Sequence, residues 1–332
     1  MARGSKREGY GYFMIVLALH VLGGAAFVIS GYQEPQMWGL GVLAYSFGLR
    51  HAFDADHIAA IDNTIRKLIA QKRNPLGVGL YFSLGHSTVV FLMVLALSLS
   101  IKTLMYDNPV LSATGGFIGT AVSALFLLGL GLLNTVVLIR SLNRLGKREK
   151  GQAHPPHEGK PHGFLTKLLA PAFRLVNRSW HVYPLGFLFG LGFDTATEIG
   201  ILALSAGAAG NSFSWLGVMS LPLLFASGMS LMDTLDGAIM TRAYRWAFLS
   251  NRNRAVYNLT VTGVSILSAL FIGGVQFMRL FEGQLPSSVV RWMEGIDFVL
   301  LGYGLAGLLV LSWFISILIW KGRRYRHAVD RA

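Results

Sequence analysis

Long apolar runs alternate along this chain with short polar stretches, and eight of the runs, at about residues 10–30, 37–61, 77–101, 114–139, 182–208, 215–239, 256–279 and 296–320, are long enough to cross a bilayer as helices. The pattern predicts an all-α membrane protein with about eight transmembrane helices. It forms one polytopic domain over 1–332, divided into an N-terminal four-helix half (1–140), a cytoplasmic linker loop (141–180) and a C-terminal four-helix half (181–332). Composition supports this class: 53% of the residues are hydrophobic and only 14% carry charge.

A net charge of +13 would suggest a nucleic-acid partner in a soluble protein, but here the basic residues sort by loop. Twenty-five of the 29 Lys and Arg fall before the first run, after the eighth, or in the loops following the second, fourth and sixth. The opposite loops hold Lys102, Arg279 and Arg291, and Arg50 lies inside the second run. Cytoplasmic loops of membrane proteins are enriched in Lys and Arg, so both termini are expected in the cytoplasm of a multi-pass protein of the cytoplasmic membrane. No nucleic acid is needed to explain the charge. Arg3, Lys6 and Arg7 ahead of an apolar run could open a signal peptide, but the run is long and reads as a retained first helix.

The densest chemistry lies in the second run, at Arg50-His51-Ala52-Phe53-Asp54-Ala55-Asp56-His57-Ile58. Ionisable groups within a membrane are costly unless they pair, face a wet cavity or bind an ion. On a continuous helix His51, Asp54 and His57 share one face, whereas Asp56 points elsewhere, so Asp56 either serves a neighbouring helix or marks a distortion. Imidazole nitrogen with carboxylate oxygen suits a divalent first-row metal, and a chain without cysteine offers no thiolate site or disulfide. A buried Arg50–Asp54 ion pair that fixes helix packing is the competing reading.

Further candidates are spread over other runs. His86, within Phe82-Ser83-Leu84-Gly85-His86-Ser87-Thr88, could add a third nitrogen or bridge two helices. His20 in the first run is a secondary candidate. Asp194 and Glu198, four apart in the fifth run, share a helical face and repel unless a proton or cation lies between them. Asp233 and Asp236 in the sixth run could bind ions, couple protons or cap helices, Asp236 being the more structural of the two. His154, His157 and His162 lie in the hydrophilic central loop, where Pro155, Pro156 and Pro161 argue for a linker rather than a preorganised site.

Two short similarities suggest an internal repeat. Phe47-Gly48-Leu49 leading to Phe53-Asp54 is matched by Phe189-Gly190-Leu191 leading to Phe193-Asp194, and Phe82-Ser83-Leu84-Gly85-His86-Ser87 by Phe225-Ala226-Ser227-Gly228-Met229-Ser230. An offset of three spans inserts the copies in opposite senses, so spans 2–3 and 5–6 are expected to form an inverted repeat, an architecture of secondary transporters.

Together these motifs resemble the nickel/cobalt transporter (NiCoT) family of membrane permeases. Its His-x4-Asp-His signature corresponds to His51, Asp56 and His57. The other signatures correspond to Leu84-Gly85-His86-Ser87, to Leu191 through Glu198, and to Gly228 through Gly237. The resemblance implies secondary uptake of nickel, cobalt or both across the cytoplasmic membrane, with the second-span signature required for transport. The expected metal residues are His51, Asp54, Asp56, His57 and His86, with His20, Asp194, Glu198, Asp233 and Asp236 secondary or gating. The metal is cargo, no cofactor is expected, and no phosphate-binding loop implies ATP. The expected partners are the metal ions and the lipid bilayer; the sequence leaves the oligomeric state open. An efflux carrier for the same metals is the first alternative. An intramembrane metal-dependent hydrolase is the less favoured alternative: the chain holds no His-Glu-x-x-His motif and is not expected to be an enzyme.

Overall fold

The computed structural model describes residues 2–98, 109–149, 176–192, 205, 213–248 and 252–329. Among them the regular structure is entirely helical: α1 (Ala2–Gln33), α2 (Met37–His51), α3 (Ala55–Ala70), α4 (Val78–Ser98), α5 (Pro109–Glu149), α6 (Val182–Phe189), α7 (Trp215–Phe248), α8 (Arg252–Arg279), α9 (Ser287–Glu294) and α10 (Phe298–Val329). Within the described residues, six helices are long and apolar enough to cross a membrane. They lie in α1, α4, α5, α7, α8 and α10 and match the first, third, fourth, sixth, seventh and eighth predicted runs.

The second run departs from the expected continuous helix. Helix α2 ends at His51, residues 52–54 form a break, and α3 starts at Ala55 behind an extended Asp54 (φ −60°, ψ 138°). Locally, Asp54 holds the N-cap position by its extended backbone alone, and Asp56 in the first turn complements the positive N-terminal end of the new helix. Helix α3 then runs to Ala70 through what the hydrophobic pattern assigned to a loop, so Arg66 and Lys67 lie in a buried helix rather than in solvent. Its apolar Ile58, Ile61, Ile65 and Leu68 recur at helical spacing and pack into the core. Likewise α5 continues past the expected boundary at 140 to Glu149. The fifth run opens as the short α6; its continuation, and the linker histidines, lie outside the described residues.

Two matching elbows place the helices around the centre. Ala52 N–H donates to the Gly48 carbonyl, Phe53 N–H to Arg50 and Asp54 N–H to His51; Gly190, Leu191 and Gly192 donate in the same order to Gly186, Leu188 and Phe189. Across from these elbows, a side chain at Gly48 would strike the Phe225 carbonyl of α7, and one at Gly186 the Phe82 carbonyl of α4. The reciprocal contacts also correspond. Gly228 faces Tyr45 and Leu49, while Gly85 faces Tyr183 and Phe187. Close backbone approach of this kind is what small residues permit between membrane helices. The geometry therefore pairs Gly48 with Gly186, one helical turn before the Gly190 that the sequence similarity suggested.

Candidate metal centre

The break at residues 52–54 sets His57, at the start of α3, beside His51, at the end of α2, and α4 supplies the third wall. His51, His57 and His86 meet there, each at most 2% exposed. Their ring centroids form a nearly equilateral triangle with sides of 4.5, 4.7 and 4.8 Å. One ligand atom from each ring can be chosen so that all three lie within 4.8 Å of one another. The Nε2 atoms of His51 and His86 share a hydrogen bond at 2.9 Å. Metal–imidazole bonds of about 2.1 Å meeting at right angles would separate two nitrogens by about 3 Å, so this pair is spaced as adjacent ligands of one ion.

Carboxylates surround the triangle in distinct roles. Asp54 Oδ2 lies 2.8 Å from His51 Nδ1, both side chains 1% exposed, an ion-pair contact on the nitrogen that faces away from His86. The side chain of Asp54 does not cap α3, although its backbone occupies the cap position. Asp233 of α7 approaches the second histidine, its Oδ2 4.0 Å from His57 Nδ1. Neither carboxylate oxygen of Asp233 has a hydrogen-bond donor among the described residues. A buried carboxylate without a hydrogen-bond donor, beside three imidazoles, is a favourable place for a cation.

Asp56 does something else. Its Oδ1 accepts the His57 backbone N–H at 2.9 Å, and its Oδ2 accepts Nε2–H of Gln276 on α8 at 3.0 Å. Both alternatives raised for Asp56 therefore hold, since the helix is broken and Asp56 ties the restart of α3 to a neighbouring helix. Arg50 is exposed while Asp54 is buried against His51, which removes the Arg50–Asp54 packing pair.

Apolar groups close the walls. Phe82 meets the His57 ring edge-on at 4.8 Å between centroids, and Phe225 lies 5.6 Å from His51. His20 is engaged elsewhere: Nδ1–H donates to the Val16 carbonyl, and Nε2 hydrogen bonds with the Tyr45 hydroxyl at 3.2 Å, joining α1 to α2. Asp236 lies one turn beyond Asp233 on α7. Asp194 and Glu198 lie outside the described residues.

Sequence reasoning passed over Gln276 and a buried cluster of Asp62, Arg66, Tyr244 and Ser265. Asp62 and Arg66, four apart within the Ile58–Leu68 apolar stripe, carried a readable signal. Gln276 carried none stronger than a lone amide in an apolar run.

A family model described as a high-affinity nickel-transport protein matches residues 37–319, covering the triangle and every helix that lines it. The chain belongs to this nickel-transport family. Its relatives include the nickel transporter NixA of Staphylococcus aureus, 47% identical over 325 residues and 96% of each chain. The high-affinity nickel-transport protein NixA of Helicobacter pylori is 42% identical, covering 93% of this chain and 96% of the relative. The cobalt transport protein NhlF of Rhodococcus rhodochrous is 40% identical, covering 91% and 89%. No solved structure matches the chain. As a nickel-transport family member with several apolar helices, the protein is a multi-pass membrane protein, and the relatives are named as transporters rather than enzymes.

Proposed function

We propose that the chain carries Ni²⁺, Co²⁺ or both from outside the cell to the cytoplasm through the histidine triangle. The observation that carries this reading is the convergence of three buried imidazoles, 4.5 to 4.8 Å apart, next to the carboxylates of Asp54 and Asp233. His51, His57 and His86 supply nitrogen; Asp54 orients His51 and Asp233 balances charge. Asp56 acts through position, holding the elbow shut against α8. Cobalt enters the proposal through the relative named as a cobalt transport protein as well as through the ligand chemistry, which suits both ions.

The charge asymmetry supports a cytoplasmic location for both termini, and the membrane potential favours inward movement of a cation by about 2.3 kcal/mol per charge per 100 mV. The two matching elbows support an inverted-repeat carrier in which the halves alternate around a central site. Cells expressing the protein should accumulate radioactive nickel and cobalt, each competing with the other. Net loss of metal from preloaded cells would instead favour the efflux carrier. The chain lacks cysteine, so single-cysteine labelling tests its orientation. A cysteine at Ser287 should react only from outside and one at Gly159 only from the cytoplasm; the reverse pattern would invert the topology.

A further inference from the structure

Between the triangle and the proposed cytoplasmic ends of α3 and α7 lies a second buried polar cluster. Asp62 and Arg66 of α3, Tyr244 of α7 and Ser265 of α8 are each at most 5% exposed. The Tyr244 hydroxyl donates to Asp62 Oδ1. Arg66 Nη2 donates to the Tyr244 hydroxyl at 3.2 Å, to the Val261 carbonyl at 3.0 Å and to Ser265 Oγ, and stands 4.0 Å from Asp62 Oδ2. The guanidinium also covers the Tyr244 ring, 5.1 Å from its centroid. Three helices are thus latched by one tyrosine and one arginine.

The stretch above the latch is polar. Asp233 and Asp236 carry carboxylate oxygens, and Thr234 and Thr241 hydroxyls, that are buried without a hydrogen-bond partner among the described residues. At helical spacing, Asp233, Thr241 and Tyr244 fall in one stripe of α7 descending from His57. Asp233 interacts with Asp236, and Asp236 with Asp62, so the carboxylates follow one another from triangle to latch. Buried polar groups left without partners are costly in a static core, and oxygens of this kind suit a divalent cation.

Resting on the transporter reading above, we propose that Asp62, Arg66 and Tyr244 form the cytoplasmic gate of the carrier. While Tyr244 holds Asp62, that carboxylate is withheld from the cation and the guanidinium repels it. A dication reaching Asp236 competes for Asp62, Tyr244 loses its acceptor, and α7 separates from α3 and α8.

A reporter cysteine at Thr241, one turn above Tyr244, tests the gate in inside-out vesicles with a membrane-impermeant methanethiosulfonate. Tyr244→Phe and the milder Asp62→Asn should each raise the labelling rate about tenfold or more over the Thr241→Cys parent. A control cysteine replacing Ser220, fully buried on the outer half of α7, should stay unreactive. Labelling rates within twofold of the parent in both variants overturn the gate, whatever uptake does. A rise at both reporter positions indicates general loosening and overturns it as well. Failure of the transport reading would appear separately, as absence of metal accumulation by the unmodified protein.

Discussion

At the ends of α2 and α6 the backbone makes the same turn with different side chains. Both helices stop after a glycine pressed on a phenylalanine carbonyl, and both breaks use the same three hydrogen bonds. Where the first elbow carries His51, the second carries Phe189, whose ring lies 5.3 Å from Phe82 and 6.3 Å from Phe126. Opposite them, His86 on α4 corresponds to Met229 on α7, counting one residue on from the paired Gly85 and Gly228. Among the described residues the architecture therefore supplies two equivalent bends, and the imidazoles gather at one of them. Shape and chemistry can be separated by mutation.

The largest effect is expected where the elbows are alike. Gly48→Ala and Gly186→Ala each add a methyl where a backbone carbonyl already lies, an overpacking that costs at least about 1–3 kcal/mol. Both should sharply lower the amount of folded, membrane-inserted protein, measured by size-exclusion chromatography of the solubilised chain. A defect at one elbow alone would break the equivalence.

Next comes the contrast in chemistry. His51→Ala should abolish uptake while leaving inserted protein at parental levels, because the dication must exchange its hydration for a full ligand set. Phe189→Ala should lower thermal stability through lost packing but keep uptake within about tenfold of the parent. Loss of uptake in a stably folded Phe189→Ala would show that the second elbow does more than bend.

Smaller effects should come from residues that orient ligands. Asp54→Asn weakens the hold on His51 Nδ1, and Gln276→Ala removes a donor from Asp56; each should weaken metal affinity by about 10- to 100-fold, Gln276→Ala towards the lower end. Equilibrium dialysis of the purified variants measures this. The smallest effect is expected for the triple replacement of His154, His157 and His162 by Ala, which should leave affinity unchanged because the intervening prolines preclude a preorganised site.

Much of the fold was legible because lipid imposes long apolar helices, and the His51–His57 motif stood out because charge is rare within such runs. The break between them was raised only as one alternative for Asp56, although Asp54 followed by Asp56 is a recognisable helix start, because the unbroken hydrophobicity of 37–61 pointed to one continuous helix. The same assumption placed Arg66 and Lys67 in a loop. The elbow register was missed by one turn because Phe-Gly-Leu recurs at both Gly48 and Gly190, whereas packing selects the Tyr-x-x-Gly spacing shared by Tyr45 and Tyr183. Gln276 reaches Asp56 across 220 residues of chain, a distance that no local pattern spans.

X-ray absorption spectroscopy of nickel bound to the purified protein tests the central claim most directly. The account predicts a coordination shell containing imidazole nitrogen whose outer-shell imidazole scattering diminishes in His51→Ala, His57→Ala and His86→Ala alike. An all-oxygen shell, unchanged by these three substitutions in folded protein, would contradict the histidine triangle as the binding site.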